Sequence, residues 1–575
     1  MDSDLEALAK RWGIEPEFHD AFGHRRIVPA DVVRQVIAAL STGYPEPAAI
    51  GRPAEIARAF AGDGRRLWGL AVQLYAVRSK RNLGIGDFRD LRDIVSLAAR
   101  AGAAAVGLNP LHALFLDRPE AASPYAPNSR LFLNPLYIAL DELDWFRRGD
   151  VSDAESVRNA GLVDYKAVAA LKLAALRAAY DRFQRDAAAQ QKADFDTFCV
   201  ERGETLKRFA CFEVLRASHG PSPWWQWPMP WSHPSDIEIG AFYRSEREQC
   251  GFFEFLQWIA DRQLAQCQQH ARQSGMPIGL YLDLAVGVEP SGADAWSNQR
   301  SVMATLSIGA PPDDLNREGQ NWGLVPFNPH ALPDDDFAVF RQLLAATMRH
   351  AGAVRLDHVL GLMRLYLIPH GAGEGAYVRY PFEQLLRIIA EESHKHRCIF
   401  IGEDLGTVPD GFRETAACWG VWSYRVMMFE RRHGGAFKSP DEYPAEALAT
   451  FGTHDLATFA GWMSGDDLRA KRAIGLATES DDDRAREREA LRTSLTNHGG
   501  DNIAAAARFL AETPSRLVAV SIEDILGVVE QVNIPGTVEQ NPNWRRKLPV
   551  PLEEWENQSA FAEVADVFRR AGRAS

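Results

Sequence analysis

DDFAVFRQLLAATMRHAGAVRLDHVLG, residues 335–361, is an amphipathic helical pattern that ends at a glycine and runs straight into a short apolar strand. The same unit follows it: PFEQLLRIIAEESHKH reads as a helix and RCIFIGEDLG (397–406) as the next strand. Working outward, LWGLAVQLYAV (67–77), AAAVGLNPL (103–111) and PIGLYLDLAVGV (277–288) are strands, with the helix DFRDLRDIVSLAARAG (87–102) between the first two. VWSYRVMMF (421–429), ALATFGTHD (447–455) and SRLVAVSIEDI (515–525) bring the number of strands to eight. Strands that alternate with helices pair in parallel, because parallel neighbours need a crossover. Eight such units predict an α/β fold, a (β/α)8 TIM barrel with helical insertions between strands and a short helical N-terminal segment. An open doubly wound sheet is the alternative. Its dinucleotide-binding form is disfavoured because no G-x-G-x-x-G opens the first helix.

The chain divides accordingly. Residues 1–65 are expected to be a helical preface, from LEALAKRWG and PADVVRQVIAALST; 66–550 the barrel, with inserted subdomains at about 112–275 and 289–335; and 551–575 a helical tail. The 112–275 insertion carries long helical patterns and a loop, HGPSPWWQWPMPWSHP, that concentrates tryptophan. Loop tryptophans pack loops onto a barrel or offer flat platforms to sugar rings; the sequence leaves both readings open.

Composition narrows the function. Lys plus Arg number 64 against 77 Asp plus Glu, a net charge of −13, which argues against a nucleic-acid partner and suits a neutral or cationic ligand. Six cysteines, none at CxxC spacing, read as reduced thiols of a cytoplasmic protein with no zinc site. The N-terminus lacks the pattern of an export signal, and no apolar run has the length of a membrane span.

In a barrel the catalytic side chains come from the C-terminal ends of several strands. Four strands here carry acids there: Asp283 in YLDL, Asp357 in RLDH, Glu403 and Asp404 in FIGED, and Asp455 in FGTHD. A single acid in an apolar strand is usually a structural ion pair; four at matching positions of separate strands point to one pocket. Arg355 and Asp357 share a strand face, and a neighbouring guanidinium favours an ionised carboxylate. Glu403 shares parity with Ile399 and Ile401, surroundings that raise a carboxyl pKa, while Asp404 points the other way. Two carboxyls with separated pKa values are the tools of a retaining glycosidase.

At these residues the chain resembles glycoside hydrolase family 77, the amylomaltases or 4-α-glucanotransferases. The resemblance spans about Leu67 to Leu548 through NLGIGDF (82–88), SPYAPNSRLFLNPLY (123–137), YLDLAVGV (281–288), GAPPDDLNREGQNWGLVPFNP (309–329), VRLDHVLG (354–361), FIGEDLG (400–406), FGTHD (451–455) and NIPGTVEQNPNWRRKL (533–548). It implies Asp357 as nucleophile, Glu403 as acid and base, and Asp455 as the acid that binds and distorts the donor ring. It further implies His358 and His454 as hydrogen-bonding partners of that ring and Arg355 as the group that orients the nucleophile. Asp283 and Tyr125 become donor-site contacts, Gln320 and Trp322 part of a lid loop, and Asn533 a contact to the same subsites. Malto-oligosaccharides or other α-1,4-glucans are the implied donors and acceptors, with no cofactor and no metal. A monomer or homodimer is expected.

The sequence departs from the family at Ala457, where Pro or an acid is common, and lacks the β-sandwich insertions of longer bacterial members. A retaining hydrolase of the α-amylase type needs the same acids, so the lid-like stretch is what separates the two readings, because covering the site excludes water. A catalytically dead glucan-binding protein is expected to lack one of Asp357, Glu403 or Asp455, and all three are present.

Overall fold

Along Ile399–Phe400–Ile401 the side chains alternate. The two isoleucines face the barrel interior with Leu67, Tyr281, Trp422 and Leu448, and Phe400 joins the layer beneath the helices. This parity runs around a closed barrel of parallel strands: β1 (Leu67–Val72), β2 (Ala105–Leu108), β3 (Gly279–Leu284), β4 (Ala353–Leu356), β5 (Ile399–Gly402), β6 (Trp422–Val426), β7 (Ala447–Thr450) and β8 (Leu517–Ser521). Neighbours follow chain order, and β8 closes onto β1 with Leu517 opposite Leu67 and Ser521 opposite Ala71. All eight strands read from the sequence are present, and the β8–β1 pairing excludes the open sheet. The computed structural model describes residues 2–47, 51–152, 154–312, 319–476 and 479–575.

The NLGIGDF stretch starts the first barrel helix, Phe88–Arg100. The Asp87 carboxylate accepts from the Asp90 N–H and the Asp90 carboxylate from the Asp87 N–H, while Arg81 pairs with both acids. Between β2 and β3 the long insertion is helical: Tyr165–Asp186, Ala189–His219 (broken at Gly203, φ +53°), Asp236–Ser245 and Arg247–Gln273. A short antiparallel pair, His112–Ala113 with Ser129–Leu133, lies at its start.

A second sheet was not read from the sequence. Ala376–Arg379, Arg364–Pro369, Leu306–Ala310 and Gln320–Leu324 form four antiparallel strands, two contributed after β3 and two after β4. The N-terminal segment backs this sheet. Trp12, Val33, Val36 and Leu40 from the segment pack with Leu306, Ile308, Leu365 and Leu367, and Glu15 pairs with Arg364 and Arg379. The segment is also not wholly helical. Besides helices Ser3–Arg11 and Ala30–Leu40 it holds an antiparallel hairpin, Glu17–His19 with Arg25–Ile27. Its three-residue strands are mostly charged and exposed, so no alternation marked them.

The C-terminal residues, set apart as a tail on sequence grounds, are built into the barrel wall. Phe568 of helix Ser559–Arg570 stacks on Trp68 of β1 at 4.9 Å and 11°. Arg573, fully buried, donates to the carbonyls of Leu67, Ala511, Thr513 and Ser515, tying the starts of β1 and β8 together.

Candidate active site

The β4–β5 register sets Arg355 opposite Ile401 and Leu356 opposite Gly402, so Asp357 and Glu403 are the next residues on adjacent strands. The backbone continues the ladder: the Glu403 N–H donates to the Leu356 carbonyl and the Asp357 N–H to the Leu284 carbonyl. Parallel neighbours lie about 4.8 Å apart. Carboxyls that start from strands at this spacing can approach to the ~5–5.5 Å of retaining pairs.

Arg355 ties three strands together. One of its terminal nitrogens reaches both Asp283 oxygens at 2.8 Å and the other meets Asp357 at 3.0 Å. The guanidinium lies 5.4 Å from the centre of the Tyr424 ring on β6. Tyr125 donates to Asp283 at 2.5 Å, and its ring stacks on His454 at 4.7 Å and 25°. His454 lies 3.4 Å from Asp455, and the Asn533 amide donates to the other Asp455 oxygen at 2.6 Å. The Asp455 side chain remains 46% exposed, open to the cleft. Asn533 thus braces Asp455, beside the subsite contact that the family resemblance implies for it.

His358 adopts φ +48°, a left-handed conformation that a histidine rarely takes. The turn brings its N–H to Glu403 Oε2 at 2.7 Å, and Leu405 N–H reaches Oε1 at 3.0 Å. These two donors and the charge of Arg355 favour the ionised carboxylate, but they are outweighed at Glu403. Burial, reinforced by the Asp357 charge, pushes its carboxyl up to about 8. Burial also raises Asp357, but Arg355 opposes it and the carboxyl settles at about 6. Burial pulls the His358 imidazole down to about 4, leaving it neutral. At Asp455 burial works upward, yet His454 and Asn533 outweigh it and hold the carboxyl below its ordinary value. Near neutral pH the site therefore presents an ionised Asp357 beside a protonated Glu403.

Gln320, Trp322 and Leu324 share one face of the edge strand of the second sheet. The Trp322 ring meets His358 edge-on at 5.1 Å and 79°, and its Nε1–H donates to Gln320 Oε1 at 3.1 Å. Residues 313–318 of the lid-like stretch lie outside the described residues. Asp404 faces away, accepting from Arg413 and from the Tyr424 N–H.

Three contributors were missed. Trp544 is buried at φ +59°, its ring 5.5 Å from Tyr125 and 5.2 Å from His454, and it lies inside the NIPGTVEQNPNWRRKL motif. Gln531 donates to the Asp455 and Asn533 carbonyls, and nothing local in the sequence signals it. Tyr281, two residues before Asp283 on β3, lies on the barrel floor, which strand parity could have found. Among the described residues, no group of three or more His, Cys, Asp or Glu side chains is arranged to hold a metal ion. No described helix is long and apolar enough to cross a membrane.

Fold and site together define a (β/α)8 barrel whose mouth holds two carboxyls of split acidity. The comparisons identify its family. The glycoside hydrolase family 77 model, described as 4-alpha-glucanotransferase, matches residues 72–552. The 4-alpha-glucanotransferase of Haemophilus influenzae is 37% identical over 535 residues, covering 85% of this chain and 76% of that protein. That of Mycobacterium tuberculosis is 37% identical over 552 residues, covering 88% and 75%. Among solved structures, amylomaltase from Corynebacterium glutamicum matches with a TM-score of 0.85 at 25% identity, covering 98% of this chain and 99% of that one. Amylomaltase from Streptococcus agalactiae in complex with acarbose shares the fold, with a TM-score of 0.75 at 19% identity over 89% of this chain and 100% of that one. The chain belongs to glycoside hydrolase family 77.

Proposed function

We propose that the protein moves α-1,4-glucan segments from a donor to the 4-hydroxyl of an acceptor glucan or glucose by retaining double displacement. The protonated Glu403 gives its proton to the glycosidic oxygen as an Asp357 oxygen bonds to C1 and the C1–O bond breaks. The departing glucan leaves a β-glycosyl ester on Asp357. Glu403, now a carboxylate, takes the proton of the acceptor 4-hydroxyl, whose oxygen attacks C1 and releases Asp357. Arg355 holds Asp357 ionised and aimed. Asp455, braced by Asn533 and His454, binds the donor-ring hydroxyls, with His358, Tyr125 and Asp283 as further contacts. Gln320 and Trp322 cover the cleft from the second sheet.

The observation that carries this reading is the placement of Asp357 and Glu403 directly after the paired residues Leu356 and Gly402 on adjacent strands, each in surroundings that give it the opposite protonation state near neutral pH. Transfer is separated from hydrolysis by supplying maltotriose alone and following chain lengths and reducing ends together. Transfer gives glucose with maltotetraose, maltopentaose and longer chains at nearly constant reducing ends. Reducing ends that rise in step with substrate loss identify a hydrolase. A cytoplasmic location and a monomeric or homodimeric state complete the proposal; fractionation and sedimentation test them.

A further inference from the structure

In the proposed mechanism Glu403 is an acid in one half of the cycle and a carboxylate in the other, and its backbone contacts fit only the second form. The His358 N–H reaches Oε2 at 2.7 Å and the Leu405 N–H reaches Oε1 at 3.0 Å, one donor to each oxygen. A carboxylate accepts at both oxygens. A carboxylic acid carries its proton on one of them, so one of the two N–H groups then faces a hydroxyl. The pair of donors is therefore complementary to the ionised side chain.

Backbone geometry holds both donors in place. His358 takes φ +48°, a conformation that persists in a histidine only where its surroundings enforce it. The same turn carries the Val359 N–H to the Glu403 carbonyl at 3.0 Å, and the Glu403 N–H donates to the Leu356 carbonyl at 3.0 Å. Gly402 lets the turn come this close, since a Cβ there would meet the Val359 methyls at 2.8 and 2.9 Å. The strained turn thus delivers one N–H to the Glu403 carboxyl and the next to its carbonyl.

The charged neighbours change during the cycle, whereas these donors do not. Arg355 and Asp357 on β4 act on Glu403 with opposite signs, and Tyr281 on β3 and Tyr424 on β6 face it as neutral phenols. Esterification of Asp357 removes the one neighbouring anion that favours the acid. From then on Arg355 and the two N–H groups are opposed by burial alone. Preorganised donors of this kind stabilise charge where it appears in a reaction.

We propose that the His358 and Leu405 N–H groups form a cradle that stabilises ionised Glu403 while the glycosyl ester on Asp357 exists. Leu405 is then a positioning residue, and His358 acts through its backbone as well as its ring. The proton leaves with the departing glucan and returns from the acceptor hydroxyl; the cradle itself gains and loses none. This deepens the double-displacement reading and rests on it.

The test exchanges single amides for esters. Placing the α-hydroxy analogue of leucine at 405, or of histidine at 358, removes one N–H and keeps every side chain. Each exchange is expected to move the alkaline limb of the pH–rate profile on maltotriose upward by about one to two units, the scale of one hydrogen bond to a charged group. The share of protein trapped as the Asp357 ester on acid quench should fall several-fold. Ester formation from 2,4-dinitrophenyl α-maltoside, whose leaving group needs no proton, should keep its rate. His358→Gly keeps the N–H and accepts the left-handed conformation. It should turn over more slowly for want of the ring, with the limb in place. A limb that stays put in both ester variants, or an equal loss on both donors, overturns the cradle. So does a limb that moves as far in His358→Gly as in the ester at 358. A protein that passes the ester to water sinks the transfer reading alone, and the same limb still decides the cradle. If the unmodified protein yields no Asp357 ester from either donor, double displacement fails and the cradle with it.

Discussion

Arg355 and Arg573 are both buried guanidiniums, one at each end of the same barrel, and they are satisfied by different chemistry. At the mouth Arg355 meets the Asp283 and Asp357 carboxylates. At the base, among the described residues, Arg573 donates to neutral oxygens, mostly the carbonyls around the starts of β1 and β8. Burial opposes the charge of both. The two carboxylates override it at Arg355, whose pKa rises well above the ordinary value, whereas Arg573, with Arg66 nearby, falls to about 9. The same side chain thus sets the charge of a reacting group at one end and staples the backbone at the other.

The largest expected effect comes from removing the charge that Arg355 serves. Asp357→Asn should cut transfer from maltotriose by about 10⁴-fold or more, as losing a covalent nucleophile does. Arg355→Met should cost less, about 10²–10³-fold, typical of one electrostatic contact to the reacting centre. It should also move the acid limb of the pH–rate profile upward, because the guanidinium no longer lowers the Asp357 pKa. The double variant should be no slower than Asp357→Asn alone. Additive losses in kcat would mean that Arg355 acts on something besides Asp357.

Arg573→Leu should invert the pattern. With several buried carbonyls left unpaired, stability should fall by about 2–5 kcal/mol. The protein that remains folded should keep its kcat. Urea unfolding beside activity per folded molecule measures both; a folded but slow Arg573→Leu breaks the contrast between the two ends.

A smaller effect concerns pH. Activity should follow a bell whose limbs lie near 6 and 8, since Asp357 must be ionised and Glu403 protonated. Glu403 has a folded pKa above that of the unfolded chain, so the folded state holds its proton more tightly. Its contribution to stability is therefore intact below about 4.5 and is lost as pH rises through about 8. Glu403→Gln cannot ionise and escapes that loss. Its Tm should match the unmodified protein near pH 4.5 and exceed it increasingly up to about pH 8, then by a constant margin. Parallel melting curves across that range would place the buried charge elsewhere.

The barrel was legible because each of its strands is an apolar run bounded by a helix or a turn, and strand parity carried the acids with it: Asp357 and Glu403 face the mouth while Asp404 turns to Arg413. The second sheet was not legible. Arg364–Pro369 is buried along almost its whole length, between the barrel side and the N-terminal segment, so RLYLIP shows no alternation and reads as a continuation of the strand before it. Its partners come from either side of β4, and no local pattern encodes that pairing. The roles of the loop tryptophans were equally hidden, because whether an indole packs or faces water depends on tertiary neighbours. Trp224 and Trp225 are adjacent, and one is buried while the other is exposed.

The smallest effect tests whether the mouth is guarded as well as charged. Trp322 comes from the sheet that the N-terminal segment backs and reaches His358 edge-on, next in sequence to Asp357, the proposed carrier of the glycosyl ester. Under the proposed mechanism its part there is to exclude water while the ester waits for a sugar hydroxyl and to offer the acceptor a flat surface. Trp322→Ala should leave ester formation largely intact and raise the share of turnovers ended by water several-fold. Read on maltotriose, reducing ends should then climb while the ladder of longer chains shrinks. Adding glucose as a competing acceptor should partly restore transfer. Trp322→Phe keeps a ring but loses the Nε1–H bond to Gln320, so it should fall between the two if the ring is what matters. If Phe and Ala leak water equally, the Trp322–Gln320 hydrogen bond is the working part of the cover. If neither leaks, water is excluded by another part of the cleft, and the mouth differs from the base in its charge alone.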